Sequence, residues 1–204
     1  ASSSSWRYFR NPEDGARVTK GWFKVVAPHE DNDNVFTSDY GSKTFASDDA
    51  DDENERWYWA DGDGIIKQGE IYKIKGKYYG FRPDKDGNNK GGAMLSGLVL
   101  MNVNAKGEIV KVYDDGVDSD ELDDLIDGTT TDSDYLAAID DKKKGEGVSL
   151  YYFGNDEDSD GAMKTGATTI TLDGKTYHFF FSKTGGSENR GRGLTGIDDS
   201  KYIY

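Results

Sequence analysis

The sequence predicts a mostly β fold: a solenoid-like array of β-hairpin repeats with a small helical insert. Short aromatic runs recur along the chain, and each is followed by a glycine, four residues and a second glycine. Aromatic residues within these runs alternate as they do in strands, where successive side chains point to opposite faces. One stretch between the runs instead spaces its apolar residues as an amphipathic helix does.

The aromatic–glycine phrase repeats. Its clear copies pair residues 57–59 with the glycine segment 64–69, residues 78–81 with 92–97, and residues 151–153 with 161–166. Looser copies pair residues 177–179 with 191–196, and residues 6–9 with Gly15 and Gly21. Self-similarity of this kind indicates a repeat array, whose units are stabilised mainly by stacking on their neighbours.

Two stretches of eight residues, 74–81 and 172–179, align without a gap. The second contains Asp173-Gly174, which predicts a tight two-residue hairpin because both central residues of that turn need positive φ. Lys75-Gly76 occupies the equivalent place and fits the same turn less well. The chain stops inside a further copy, 197–204, so we expect it to be a piece of a longer protein.

Two inserts interrupt the array. Residues 27–56 are rich in carboxylates and are predicted to form a solvated acidic loop. Residues 113–147 are predicted to be helical. The remaining stretches are a first repeat at 1–26, repeats at 57–112, and repeats at 148–204 that are cut at the C-terminus. Together they are expected to form one continuous repeat domain.

The helical insert carries start and stop signals for two helices. Asp118 and Glu121 form a capping-box pattern, and Gly128 ends the first helix. The second helix is predicted to start near Ser133 and to end in three lysines before Gly145, as the helix dipole favours. Residues expected to face the β array are Leu122, Leu125, Ile126, Tyr135, Leu136 and Ile139.

Composition and charge exclude several classes of partner. The formal net charge is −14 and no basic stripe is present, so the chain lacks the cations that nucleic-acid binding requires. No apolar run is long enough to span a membrane, and the absence of cysteine rules out disulfides and thiolate metal sites. Cationic ligands and neutral sugars remain open as partners.

One acidic turn has the first half of a calcium loop. Asp156, Asp158 and Asp160 alternate before Gly161, but the twelfth position is Ala167 rather than an acid, which excludes an EF-hand. Either a looser calcium site or a simple polar turn fits these residues, and no other cofactor is indicated. The sequence carries no recognisable catalytic signature, so we expect a non-catalytic protein.

Tryptophan residues are the strongest candidates for ligand contact, because the indole has the most attractive π face for a cation. Trp22, Trp57 and Trp59 lie in or beside the repeats. Their rings, if exposed along a groove, stack on sugar faces or cage a quaternary ammonium group.

The repeat resembles a known family: the cell-wall-binding repeats of choline-binding proteins, streptococcal glucan-binding proteins and clostridial toxin tails. Gly161-Ala-Met-Lys-Thr-Gly166 matches the family's Gly-x-Met-x-Thr-Gly phrase, and Gly92-Ala-Met-Leu-Ser-Gly97 matches it with serine. The resemblance implies an extracellular module on a Gram-positive surface that binds wall polysaccharide or another glycan. It also adds Tyr79 to the candidate ligand residues.

The chain departs from the family in one respect. The tryptophan that often follows the second glycine occurs only at Gly21-Trp22, whereas Glu70, Leu98, Ala167 and Ile197 follow the later glycines. A regular ladder of choline cages is therefore excluded. Two interpretations remain open: a wall-binding module whose exposed aromatics are roughly coplanar, and a structural spacer or protein-interaction array whose tryptophans are all buried.

Overall fold

The chain is described by a computed structural model that covers residues 7–11, 15–26, 55–83, 91–186, 189–193 and 202–203. In these residues the strands are β1 (Phe9–Asn11), β2 (Ala16–Arg17), β3 (Gly21–Val26), β4 (Glu55–Ala60), β5 (Glu70–Ile74), β6 (Lys77–Phe81), β7 (Leu98–Val103), β8 (Ile109–Asp114), β9 (Val148–Tyr152), β10 (Gly166–Leu172), β11 (Lys175–Phe181) and β12 (Tyr202–Ile203). The helices are α1 (Ser119–Asp127) and α2 (Ser133–Lys143). The predicted mostly β fold is confirmed.

The strands form small sheets. Pairs β1–β2, β3–β4 and β5–β6 each make a two-stranded sheet, while β8–β7–β9 and β10–β11–β12 make three-stranded sheets. Only β12 is parallel to its neighbour, β11, among the pairings whose direction is defined in the described residues. The predicted acidic loop lies outside the described residues, apart from Glu55 and Arg56, which begin β4.

Both predicted two-residue hairpins are present. Asp173 and Gly174 have φ of 48° and 80°, and Lys75 and Gly76 have φ of 48° and 83°. Lys75 and Asp173 are the only non-glycine residues with positive φ in the described part of the chain. The Lys75-Gly76 turn, expected to be the poorer of the two, thus adopts the same geometry as Asp173-Gly174.

The predicted helix caps are also confirmed. The Asp118 carboxylate accepts from the amide of Glu121, and the Glu121 side chain accepts from the amide of Asp118, so the capping box is complete. Gly128 ends α1 in the left-handed conformation. Asp132 caps α2, and its carboxylate accepts from the amides of Asp134 and Tyr135.

The inward faces of the helices differ in part from the prediction. Leu122 and Tyr135 are buried as expected, but Leu136 is 45% exposed and Ile126 is 38% exposed. Tyr135 and the small Ala138 take the inward positions of α2. Leu136 follows Tyr135 by one residue, about 100° around the helix, and therefore faces away. The expectation that Leu136 points inward is wrong, whereas Ile126 is partly exposed and lines a groove together with residues of the sheet.

The chain divides into two compact units, residues 1–69 with 81–94, and residues 70–80 with 95–204. The first contains one small core, made by Val18, Phe23, Tyr58, Ala60 and Ala93. The second contains two cores. One lies under the helices and includes Leu122, Tyr135 and Phe179; the other, centred on Tyr151 and Phe153, uses no helical residue. No helix in the described residues has the length and apolar character needed to cross a membrane.

A hydrogen bond recurs between three of the glycine segments and the aromatic strand of the preceding copy of the phrase. In the first unit the amide of Met94 donates to the carbonyl of Trp57, at 2.8 Å. In the second unit the amide of Met163 donates to the carbonyl of Tyr78 at 2.7 Å, and that of Gly193 donates to Leu150 at 2.9 Å. The sequence repeat therefore corresponds to a repeated pattern of backbone contacts.

Close packing explains the glycines at the start of two of these segments, Gly92 and Gly191. Gly92 has φ of +87°, and a Cβ there would lie 2.9 Å from Cγ2 of Ile66 and 3.2 Å from the carbonyl oxygen of Lys67, both in the preceding segment. Gly191, with φ of +77°, would meet the side chain of Met163 in the same way. Glycine is required because it has no Cβ and tolerates positive φ.

Candidate aromatic binding site

The candidate site is built on the antiparallel pair β3–β4 of the first unit. Trp22 lies opposite Trp59, Phe23 opposite Tyr58, and Lys24 opposite Trp57. Because strand side chains alternate, the three tryptophans share one face with Lys24, while Phe23 and Tyr58 share the other. The prediction that Trp57 and Trp59 occupy one strand face is confirmed.

The opposite face is the core of the unit. Phe23 and Tyr58 stack at 5.5 Å between ring centroids with an interplanar angle of 17°, and Phe23 stacks on Tyr8 at 4.9 Å and 7°. Phe23 is 6% exposed and Tyr58 is 2% exposed. Burial of these rings fixes the register of the pair, because a slip of one residue would exchange the two faces.

On the tryptophan face the rings meet edge to face. The centroids of Trp22 and Trp57 are 6.4 Å apart with an interplanar angle of 86°, and those of Trp22 and Trp59 are 5.3 Å apart at 70°. Trp22 also lies 5.8 Å from Phe81, which is fully buried. Trp22 and Trp57 are half-buried, whereas Trp59 is only 8% exposed. We call Trp22, Trp57 and Trp59 the tryptophan corner.

The angles between the rings of the tryptophan corner differ from the coplanar arrangement that was expected. Nearly perpendicular rings do not form the coplanar, exposed platform that the wall-binding interpretation predicted. Nor are all three tryptophans buried, as the spacer interpretation requires. The planes of Trp22 and Trp57, at 86° to one another, instead turn their π faces in different directions.

A cation of the chain already lies against the corner. Nζ of Lys24 is 5.9 Å from the centroid of the Trp57 ring, within the range of a cation–π contact. Glu55 is exposed and follows the same alternation as Trp57 and Trp59 along β4, so its carboxylate adds negative charge to this face. The rings and the acid of this face attract positive charge, and Lys24 supplies one such charge from within the chain.

Tyr79, the fourth candidate ligand residue, belongs to the second unit. Its ring is half-buried in β6, and burial together with the charge of Asp160 raises the pKa of its hydroxyl. The adjacent Tyr78 faces two cations of its own unit. Nζ of Lys73 lies 5.6 Å from its ring centroid, and the guanidinium carbon of Arg190 lies 4.3 Å from it.

The three candidate calcium ligands, Asp156, Asp158 and Asp160, lie in a turn that is held by its own hydrogen bonds. The carboxylate of Asp156 accepts from the amide of Asp158 at 3.0 Å and from the hydroxyl of Ser159 at 2.7 Å, and these bonds lower its pKa. Asp160 accepts from the ammonium of Lys164. In the described ranges no three acidic or histidine side chains are grouped as a metal site would require. Asp61 makes the same kind of turn, accepting from the amides of Asp63 and Ile65.

Lys24 and Phe81 are contacts of the corner that were not singled out from the sequence. For Lys24 a signal was available, because it follows Trp22 by two residues in a strand and alternation places it on the same face. For Phe81 there was none, because it is distant in sequence from Trp22 and only tertiary packing brings the two rings together.

Comparison with known proteins gives structural neighbours only. No protein-family model matches the chain, and no curated protein sequence matches it. Choline-binding protein F from Streptococcus pneumoniae is 19% identical with a TM-score of 0.29, over 94% of this chain and 50% of that one. Its structure in the presence of a peptidoglycan analogue is 18% identical with a TM-score of 0.28, over 96% of this chain and 58% of that one.

A second protein of Streptococcus pneumoniae, CbpJ, is 14% identical with a TM-score of 0.31, over 94% of this chain and 64% of that one. The chain thus spans 50% to 64% of the length of these structures. The function proposed below rests on the chain's own residues.

Proposed function

We propose that this chain is a non-catalytic cell-wall-binding repeat module that holds a larger secreted protein on the surface of a Gram-positive bacterium. Its ligand is wall polysaccharide, and the group recognised is a quaternary ammonium substituent held at the tryptophan corner. The tryptophan corner is the observation that carries this proposal. Two half-buried indoles meet there at 86° on a face that also presents an acid.

The chemistry of the corner selects this ligand over a bare sugar ring. A sugar stacks best on a broad flat aromatic surface, whereas a methylated ammonium is attracted by several π faces around one point. The net charge of −14 adds a long-range attraction for cations and opposes polyanions. Trp59, at 8% exposure, serves mainly to hold Trp22 in place.

The repeat phrase supports the architecture of such a module. A segment that donates from its third residue to the preceding aromatic strand recurs at Met94, Met163 and Gly193. We infer that these contacts belong to a solenoid-like array of hairpins, in which each copy is stabilised by its neighbour. The resemblance of the glycine segments to cell-wall-binding repeats points to the same arrangement.

Choline is the direct probe of the corner. We expect choline chloride to change the intrinsic tryptophan fluorescence in a saturable way, and the Trp57→Ala variant to bind choline at least tenfold more weakly, since one face of the cage is lost. Phe9→Ala is the matched control, because Phe9 is an exposed aromatic of the same unit, 52% exposed. Equal choline affinity in the folded Trp57→Ala variant and the wild type would show that the corner is not the site.

Sedimentation with cell walls tests the function itself. The protein is expected to pellet with intact Gram-positive walls, to be released by choline, and to remain in solution with walls stripped of teichoic acid. Pelleting with both preparations, without release by choline, would keep wall binding but reject the quaternary ammonium. A protein that stays in solution with every wall preparation would contradict the proposal.

One observation favours the alternative, a structural spacer or interaction array. Lys24 already lies over Trp57, so the chain partly supplies its own cation. If this contact is purely structural, choline at millimolar concentration will leave the fluorescence unchanged, and Lys24→Met will lower the free energy of unfolding without creating any choline binding.

A further inference from the structure

The second unit contains an apolar groove that the proposed function does not use. Its volume is about 450 Å³, within the range of about 300–1,000 Å³ typical of small-molecule sites. The helical side is formed by Leu125, Ile126 and Ile139, and the floor includes Leu100 and Leu150 of the sheet. An exposed isoleucine at the mouth of an open, mainly apolar groove marks a surface suited to an aliphatic ligand.

One end of the groove is cationic. Lys142 and Lys143 line it, together with Ser149. The hydroxyl of Ser149 donates to the carbonyl of Gly193 at 3.2 Å, which joins β9 to the residue that follows Arg192. Burial and the positive charge of Arg192 lower the pKa of the Lys142 ammonium. An anion placed here would offset the repulsion between the two cations.

This concentration of positive charge contrasts with the rest of the molecule. The whole chain has 39 acidic and 25 basic residues, yet the polar residues that line this groove are Lys142, Lys143 and Ser149, with no acid among the described residues of its lining. Lys143 pairs with Asp140 at 4.0 Å, and both side chains are exposed, so the pair contributes little. An aliphatic floor with a cationic end fits a molecule that has one alkyl chain and one anionic head.

We propose that the groove binds a single-chain anionic amphiphile of the fatty-acid type. The alkyl chain lies between α1, α2 and the sheet against Leu125, Ile126 and Ile139, and the carboxylate lies at Lys142 and Lys143. A second copy of this chain is a poorer occupant, because two molecules that each carry a net charge of −14 repel one another. The site is independent of the tryptophan corner, which belongs to the first unit.

Calorimetric titration of the full chain with decanoate and with decanol tests the proposal. Both probes have the same chain length, and only decanoate is charged. We expect decanoate to bind at least tenfold more tightly than decanol, with the difference shrinking as salt concentration rises. Equal affinities, or no binding of either probe, would overturn the proposal.

Variants locate the site. Ile126→Asn is expected to weaken decanoate binding about tenfold, whereas Leu136→Asn, which places the same polar group on an exposed helical position outside the groove, is expected to leave it unchanged. Lys142→Gln should weaken decanoate about tenfold and decanol hardly at all. Lys144→Gln is its control, because Lys144 pairs with Asp141 and does not line the groove.

Two results would contradict this assignment. The first is decanoate affinity that is unchanged in Ile126→Asn, with circular dichroism showing that the variant is folded. The second is a wild-type dimer in sedimentation velocity that Ile126→Asn dissociates, because the groove would then be an interface between copies of this chain.

Discussion

Strands β4 and β9 carry the same aromatic phrase but differ in what covers them. In β4 the run Trp57, Tyr58 and Trp59 has one face in a core and one face half open. In β9 all five residues are buried, because Tyr151 packs into one core and Tyr152 into another, the one beneath the helices. The aromatic motif therefore determines that a strand forms and that its side chains alternate between two faces. The surrounding elements decide whether an aromatic side chain is exposed to a ligand.

The helical insert is the cause of this difference within the second unit. Leu122 of α1 and Tyr135 of α2 lie in the same core as Leu150 and Tyr152 of β9. The hydroxyl of Tyr135 donates to the carboxylate of Asp114 at 2.7 Å, which joins α2 to β8. The insert is thus part of the unit's core, and it covers the aromatic face of β9 that the corresponding strand of the first unit leaves half open.

The largest expected effect on stability comes from weakening the packing of the helical insert on the sheet. Leu122→Ala should lower the free energy of unfolding of the second unit by about 2–5 kcal/mol, because Leu122 is completely buried. Chemical denaturation followed by far-ultraviolet circular dichroism measures the change. Leu136→Ala is the control, since Leu136 is 45% exposed on α2 and should cost less than about 0.5 kcal/mol. A similar loss in both variants would mean that the helices do not support the core as described.

The next effect tests the contact between successive glycine segments in the first unit. Gly92→Ala combines a positive φ with a Cβ placed 2.9 Å from Ile66, and should cost about 2–4 kcal/mol. Gly15→Ala, in the same unit, has a positive φ but no atom within 4 Å of its Cβ, and should cost only about 1–2 kcal/mol. Thermal unfolding of the two variants separates packing from backbone strain. Equal losses would show that the segments do not pack closely.

Acid is expected to weaken the second unit. Hydrogen bonds from Lys175 and Tyr177 lower the pKa of Asp123, those from Tyr113 and Lys144 lower that of Asp141, and bonds from Ser119 lower that of Asp173. Each depressed pKa contributes stability above the ordinary aspartate value of about 3.9, and that stability is lost as the pH falls through the folded pKa.

Glu121 acts in the opposite direction. Burial raises its pKa, so protonation as the pH falls relieves a cost in the folded state. Denaturation midpoints measured from pH 6 to pH 2, taken as about the range of carboxylate titration, should fall mainly below pH 4. Asp141→Asn should flatten this fall relative to Asp127→Asn, an exposed aspartate at the end of α1. Identical profiles for the two variants would reject the role of Asp141.

The smallest expected effect concerns the open face. Lys24→Met keeps an unbranched side chain but removes the cation that lies over Trp57, so choline should bind about two- to threefold more tightly. Fluorescence titration provides the measurement. Weaker binding in Lys24→Met would show that Lys24 shapes the tryptophan corner rather than competing for it.

Local features were predictable from the sequence because individual residues encode them. Asp118 and Gly128 were correctly identified as helix boundaries from their capping chemistry. The hairpin turns at Lys75 and Asp173 followed from the dipeptides that tolerate positive φ. The common face of Trp57 and Trp59 followed from strand alternation, which needs no knowledge of the partner strand.

Non-local features were not predictable. Alternation did not reveal that Trp22 and Trp57 meet at 86°, or that Trp59 is nearly buried. Nor did it show that β9 pairs with β7, or that Leu136 faces away while Ala138 faces inward. Each of these depends on which distant side chain fills the neighbouring space.

The sequence by itself determined the strand-and-turn phrase, the helix caps and the strongly acidic character, since these depend on backbone preference and charge within a few residues. Tertiary structure decided which aromatic rings are covered, at what angles they meet, and where a cationic groove opens in an acidic chain. The reason is that burial and ring geometry depend on packing among segments far apart in sequence, where any of several apolar residues satisfies the same local pattern.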